Sequence, residues 1–279
     1  RAIHQSMMFA GASSFNQDIG AWQLDNVQRI HTMFYGAASF NQYIGDWDVS
    51  RVANFGSVFR QATSFNQDLR KWDLSQATNM SWMFANAANF NQDIGNWEVS
   101  RVENMSYLFF YASSFNQDIG DWEVSAVSDM SNMFKGPNMA FNQDIGDWDV
   151  GNVRVTNAMF EHNPSFDQNL GRWPVGALES ARRMFNQSEL STPHYDSLLI
   201  GWAARDLRDS VDFHAGTSRY SAAWEARAHL LADHGWLITD RGPERDAPLA
   251  LCRDTTLYLP PSGSLYIEPS WLDAGSFDH

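Results

Sequence analysis

Val102 to Ser125 reads VENMSYLFFYASSFNQDIGDWEVS, and most of the chain is organised around copies of it. The tryptophan of this stretch recurs as Trp22, Trp47, Trp72, Trp97, Trp122, Trp148 and Trp173, at steps of 25 residues with a single step of 26 where GPNMAF carries an insertion. Two phenylalanine series keep the same beat: Phe9, Phe34, Phe59, Phe84, Phe109, Phe134, Phe160 and Phe185, and Phe15, Phe40, Phe65, Phe90, Phe115, Phe141 and Phe166. A period of this length is the mark of a repeat architecture, in which each unit buries its apolar face only by stacking on its neighbours. Fifteen of the 19 phenylalanines are thereby assigned to a packed interior rather than to ligand contacts.

Within a unit, Val27, Ile30, Met33 and Phe34 are spaced three, three and one apart, which predicts a short helix on a convex side. Small residues follow, and then Ile44 to Val49 predicts a short strand, its alternation broken at Gly45 by an expected bulge or sharp bend. Arg70 replaces that glycine once, so the position does not demand positive φ. Adjacent strands about 4.8 Å apart would form a parallel sheet. Asn41, Asn66, Asn91 and Asn116 would then fall into register as an amide ladder, and Trp47, Trp72, Trp97 and Trp122 as a buried one. The methionines of the apolar face read as flexible gap-fillers. The predicted class is α/β: a right-handed solenoid of about seven 25-residue coils, one short parallel strand and one short helix in each.

The pattern VxxMxxMFxxAxSFNQDIGxWDVS, as in Val102 to Ser125, resembles the BspA-like leucine-rich repeats of bacterial surface proteins. The resemblance covers residues 1 to 187. It implies a horseshoe or superhelix, export, and a role in adhesion or surface interaction, and it carries no catalytic residues.

Residues 1–190 are read as the solenoid and 191–240 as a C-terminal cap. Ser191 and a proline open a helix with Leu198, Leu199 and Trp202 inward; Ser221 precedes a second, with Trp224, Ala228 and Leu231 on one face and Gly235 at its end; WLITD follows as a strand. RGPERDAPLA, residues 241–250, reads as a linker. Beyond it, residues 251–279 read as a β-hairpin, and LCRDTTLYLPPSGSLYIEPSWLDAGSFDH resembles the opening of a hyalin-repeat-like, immunoglobulin-type domain. Too short for a sandwich, it implies either continuation of the native protein or strand donation to another subunit.

Charge narrows the partners. The formal net charge of −14 repels phosphate backbones and anionic lipid, so nucleic acid is not expected. No run is long and apolar enough to cross a bilayer, and RAIHQSMMF lacks the layout of a signal peptide. Arg1 falls part-way through a repeat, so an upstream leader or further repeats remain open. The single cysteine, Cys252, supports neither a disulfide framework nor a thiolate metal site.

A nucleophile elbow, a phosphate loop, a zinc-protease helix and a dinucleotide fingerprint are all missing. His229 and His234, five apart, are expected on different helix faces and so not to share a metal. Asp93, Asp118 and Asp144 belong to an acidic row that would suit calcium, or serve simply as a solvated face; no other cofactor is implied. The positions that vary between repeats are more informative. Trp82 and Tyr107 share one repeat position, and Phe110 and Tyr111 follow where other units have Tyr35-Gly36 or Lys135-Gly136. These four aromatics predict an exposed binding patch, packing between helices being the plainer account.

The expected function is therefore that of a non-enzymatic, extracellular or cell-surface bacterial repeat protein, mediating adhesion to proteins or glycans. The alternative is a structural subunit that self-assembles into a filament or surface layer through its open ends and terminal hairpin. An enzymatic role at the cap, through His194, His214 or His234, comes last.

Overall fold

The computed structural model describes residues 6–24 and 26–244. The expected hairpin over 251–279, Cys252 and most of the linker lie outside the described residues.

From residue 6 to Ser180 the chain is a pile of 25-residue coils. Isolated parallel bridges run in one line, Arg29 to Asn54, Asn79, Asn104, Asp129, Val155 and Ser180. The line passes through the segment whose apolar spacing predicts a helix, and no helix forms there. Instead, Met33, Tyr35 and Ala37 donate their N–H groups back to the carbonyls of Ile30, Thr32 and Phe34 at 2.9, 3.2 and 3.0 Å. The intervening N–H groups of Thr32, Phe34 and Gly36 go forward to Gly56, Val58 and Arg60 in the next coil at 2.9, 2.9 and 2.8 Å. Every second donor thus closes a tight turn and every other one joins two coils.

This alternation requires left-handed residues at two places per coil. Thr32, Ser57, Trp82, Tyr107, Asn132, Ala158 and Arg183 occupy the first, with φ between 55° and 61°; Gly36, Gln61, Asn86, Tyr111, His162 and Gln187 are among those at the second. A three-residue apolar step is produced by consecutive turns as well as by a helix, which is why the spacing misleads. The expected strand over Ile44–Val49 is likewise a turn, with Trp47 donating back to the Ile44 carbonyl at 3.2 Å. The ladder therefore runs through the segment expected to be helical, turns stand where the strand was expected, and among the described residues no coil contains a regular helix.

The interior is built from the two phenylalanine series. Phe34 lies 4.1 Å from Phe40 within its coil and 5.7 Å from Phe59 in the next, and Phe40 lies 5.9 Å from Phe65, all stacked. Each tryptophan packs beside them and sends its indole N–H to a carbonyl in the previous coil: Trp47 to Ile19, Trp72 to Ile44, Trp97 to Leu69 and Trp122 to Ile94, at 3.0–3.2 Å. The asparagines form a second ladder. The side-chain oxygen of Asn41 accepts from the backbone N–H of Asn66 and the amide of Gln67; Asn66 and Asn91 serve Asn91–Gln92 and Asn116–Gln117 in the same way. The repeated glycine sits in a crowded turn: a Cβ on Gly120 would lie 2.7 Å from the Asp144 carbonyl oxygen of the next coil, so Arg70 is the one departure that its coil adjusts to admit.

Regular structure begins where the coils end. β1 (Ser180–Ala181), α1 (Thr192–Ala203), β2 (Asp212–His214), α2 (Trp224–Ala232) and β3 (Leu237–Thr239) form a parallel sheet in the order β1-β2-β3. β1 extends the bridge line, so the cap continues the ladder while helices replace the FNQDIGxW side. Trp202 of α1 occupies the tryptophan place and donates to the Leu170 carbonyl at 3.0 Å. Gly201 beside it has no room for a side chain, since a Cβ would meet the Gly171 carbonyl oxygen at 2.0 Å.

Neither expected serine cap acts as one. The hydroxyl of Ser191 donates to Asp167 at 2.9 Å. Ser221 lies ahead of α2 and, with Ala222 and Ala223, donates to the buried carboxylate of Asp196. On α2 the buried residue is Leu230; Trp224 is 51% exposed, against the inward face expected for it.

Candidate functional site

The four aromatics named from the sequence come together, on the ladder side of the stack rather than on a helical one. Trp82 and Tyr107 stack at 3.8 Å with an interplanar angle of 7°. Phe110 meets both obliquely, at 5.7 Å from Trp82 and 5.4 Å from Tyr107, and lies 4.4 Å from Tyr111. Trp82, Tyr107 and Phe110 are half-buried and Tyr111 is exposed.

Three of the four stand on the left-handed positions, Trp82 at φ 61°, Tyr107 at 59° and Tyr111 at 56°. An L-residue there costs about 1–2 kcal/mol. Neighbouring coils fill the first of these positions with Thr32, Ser57, Asn132 and Ala158. Met7 and Arg183 stand at the same place in the outer coils, so the left-handed turn belongs to the repeat, and what sets the middle coils apart is the pair of stacked rings standing on it.

Two cations flank the rings, and the sequence reading missed both because they lie in different repeats. The Arg60 guanidinium lies 4.1 Å from the Trp82 ring centre and 5.4 Å from that of Tyr35, within cation–π range. The equivalent residue in the following coil is the buried Ala85, whose small side chain leaves the way to Trp82 open. The only sequence signal available was a long basic side chain one coil before Trp82. Lys135 lies 6.0 Å from Phe110 and 2.8 Å from the carboxylate of Glu161, which is fully buried. Burial pushes the Glu161 carboxyl up, but its ion pair with Lys135, the hydrogen bond from Asn186 and the nearby charge of Arg183 outweigh this and hold it below the ordinary 4.5. Arg60, the four aromatics and Lys135 make one ridge across the middle coils, with the buried Glu161 paired to Lys135.

The acidic row has a local use. Asp93, Asp118 and Asp144 each accept the backbone N–H of the glycine two residues on, at 3.1, 2.9 and 2.9 Å. Among the described residues, no group of three His, Cys, Asp or Glu side chains is arranged to hold a metal ion.

The cap histidines sit in separate pairs. His194 meets Asp167 at 2.8 Å, and His214 meets Asp212 at 3.3 Å. Ser191 also bonds Asp167, so the carboxylate lies between serine and imidazole, whereas a nucleophilic triad needs the imidazole in the middle. Burial pushes Asp167 up, and the Ser191 N–H and His194 together bring it below its ordinary 3.8. His229 and His234 do meet, their ring centres 5.0 Å apart, each with Nδ1 on its own carboxylate, Asp233 or Asp209. The helical-face argument fails for this pair because His234 lies past the end of α2. A void of about 10 Å³ between the last coils and Trp202 is lined by apolar groups and Thr156, too small for a substrate.

A family model described as "Mycoplasma protein of unknown function, DUF285" matches residues 3–116 and again 81–197. The chain belongs to this family. Two overlapping matches are what a repeating sequence produces, and in this DUF285 protein the overlap, 81–116, includes all four ridge aromatics. No curated protein and no solved structure matches it.

Proposed function

We propose that this DUF285 protein is a non-enzymatic binding scaffold of the bacterial leucine-rich-repeat surface class, displayed outside the cell and holding protein or glycan ligands along its ladder side. The observation that carries the reading is the aromatic ridge: rings of the kind enriched at binding hot spots cluster, half-buried or exposed, where neighbouring coils place Ser57 and Asn132. Their replacement can be made without dismantling a coil, because Asn132 already occupies the same place as Trp82 and Tyr107. A Trp82→Asn/Tyr107→Asn protein is expected to keep its circular dichroism spectrum and lose at least tenfold in affinity on an array of extracellular-matrix proteins and surface glycans. Equal binding by both proteins, or no binder at all, would sink the proposal.

A further inference from the structure

The ridge contains a cation without a counter-charge. Among the described residues the Arg60 side chain makes no hydrogen bond and no ion pair, although the chain carries 33 Asp and Glu. Its Nε is enclosed without a partner, while its two terminal nitrogens are not. Tyr35 from the coil before and Trp82 from the coil after lie against the guanidinium. With rings from the coils before and after beside it and Nε enclosed, the two terminal nitrogens, which can grip a carboxylate bidentately, are the part of the group left to meet a ligand.

Ring faces decide what kind of molecule brings that carboxylate. A sugar docks flat on a free aromatic face. Trp82 has Arg60 against it from one neighbouring coil and Tyr107 from the other, and Tyr111 rests against the backbone at Gly136, whose Cβ position is 3.2 Å from the Tyr111 ring. Trp82 therefore offers only its edges, and the tilted Phe110–Tyr111 pair suits an apolar side chain better than a pyranose face. Phe110 and Tyr111 lie two coils beyond Arg60. At about 4.8 Å per coil this is roughly 10 Å, or about three residues of extended chain.

Building on the binding role proposed above, we infer that the ridge takes an acidic peptide in the extended polyproline II conformation, whose turn of three residues over about 9 Å puts side chains three apart on one face, with an Asp or Glu carboxylate on Arg60 and a large apolar side chain three residues away against Phe110 and Tyr111. Local charge complementarity supports this occupant, since Arg60 is an unmatched positive group at the ridge; the net charge of −14 opposes an acidic peptide only at long range, where salt screens it.

The probe is a displayed library of random dodecapeptides, selected on the intact protein and counter-selected on the Trp82→Asn/Tyr107→Asn variant. The enriched peptides are expected to share one acidic residue three positions from an apolar one. Changing that acid to its amide should weaken binding about tenfold. Arg60→Gln, with an unchanged melting curve, should bind acid and amide peptides equally.

Enriched peptides with no acidic requirement, or undiminished on Arg60→Gln, would overturn the carboxylate assignment and leave the ridge as a binding site. A uronate oligosaccharide bound in an Arg60-dependent way, with no peptide selected, would overturn the peptide. Failure to find any ligand that separates the intact protein from the double variant would overturn the binding role as well.

Discussion

The coils and the cap solve the same problem in opposite ways. In a coil, alternate N–H groups between Thr32 and Gly36 are given to the next coil, so each unit depends on a neighbour for its backbone hydrogen bonds as well as for its core. In the cap, α1 and α2 satisfy most of their donors internally, and only short strands continue the ladder. The aromatic packing changes with them. Parallel stacking runs as far as Phe160 and Phe185, 5.3 Å apart at 11°, and then turns edge-on: Phe185 meets Phe213 at 82°, and Phe213 meets Trp236 at 72°. A stack built from interchangeable units has no inherent end. Edge-to-face rings and self-sufficient helices supply one, as terminal repeats of solenoids must.

If coils and cap are separable in this sense, equivalent losses should open different places. The largest effect is expected from the tryptophan ladder. Trp122→Ala and Trp202→Ala should each cost about 3–5 kcal/mol. The first should expose amides on both sides of the middle coils to hydrogen exchange, and the second those from Phe160 to Trp236, leaving the coils before Asn79 protected. Loss of protection over the same residues in both variants would mean one cooperative unit and erase the distinction.

Glu161→Gln probes a charge cluster inside the stack. Removal of the buried carboxylate from Lys135, Arg183 and Asn186 should cost about 1.5–3 kcal/mol at neutral pH. Since the folded carboxyl lies below its ordinary 4.5, its stabilisation is complete above about that pH and disappears as pH falls through the lower, folded value. Melting midpoints of the native and Gln proteins should therefore converge on acidification. A constant gap down to acid pH would remove Glu161 ionisation from the account.

The smallest effect belongs to the cap alone. Asp196 of α1 accepts the N–H groups of Ser221, Ala222 and Ala223 and so fastens the start of α2. Asp196→Asn should cost about 1–2 kcal/mol and raise exchange in α2 without touching the coils. Increased exchange before Ser180 would show the cap's tie to be global.

The ridge shows how far a sequence carries. Trp82, Tyr107, Phe110 and Tyr111 stand out by comparing equivalent positions between repeats, which needs no coordinates. Arg60 does not stand out that way, because its meaning depends on Ala85 being small one coil later and on Tyr35 one coil earlier. A helix running through residue 234 would separate His229 from His234, but α2 ends at Ala232. The convex helix was misplaced for a related reason: the apolar positions Val27, Ile30, Met33 and Phe34 are all buried, but burial at steps of three does not reveal where the backbone donors go.

The sequence by itself determined the period, the buried phenylalanine and tryptophan columns, the asparagine ladder and the place where the repeats stop. These follow from side-chain type recurring at fixed spacing, because identical units can bury identical groups only by stacking in register. Only the tertiary structure decided that turns stand where a helix was expected, that the ladder runs through them, and that Arg60 lies against Trp82 without an acid. Those facts depend on the sign of φ and on atoms one coil away, and a period of 25 residues is blind to both.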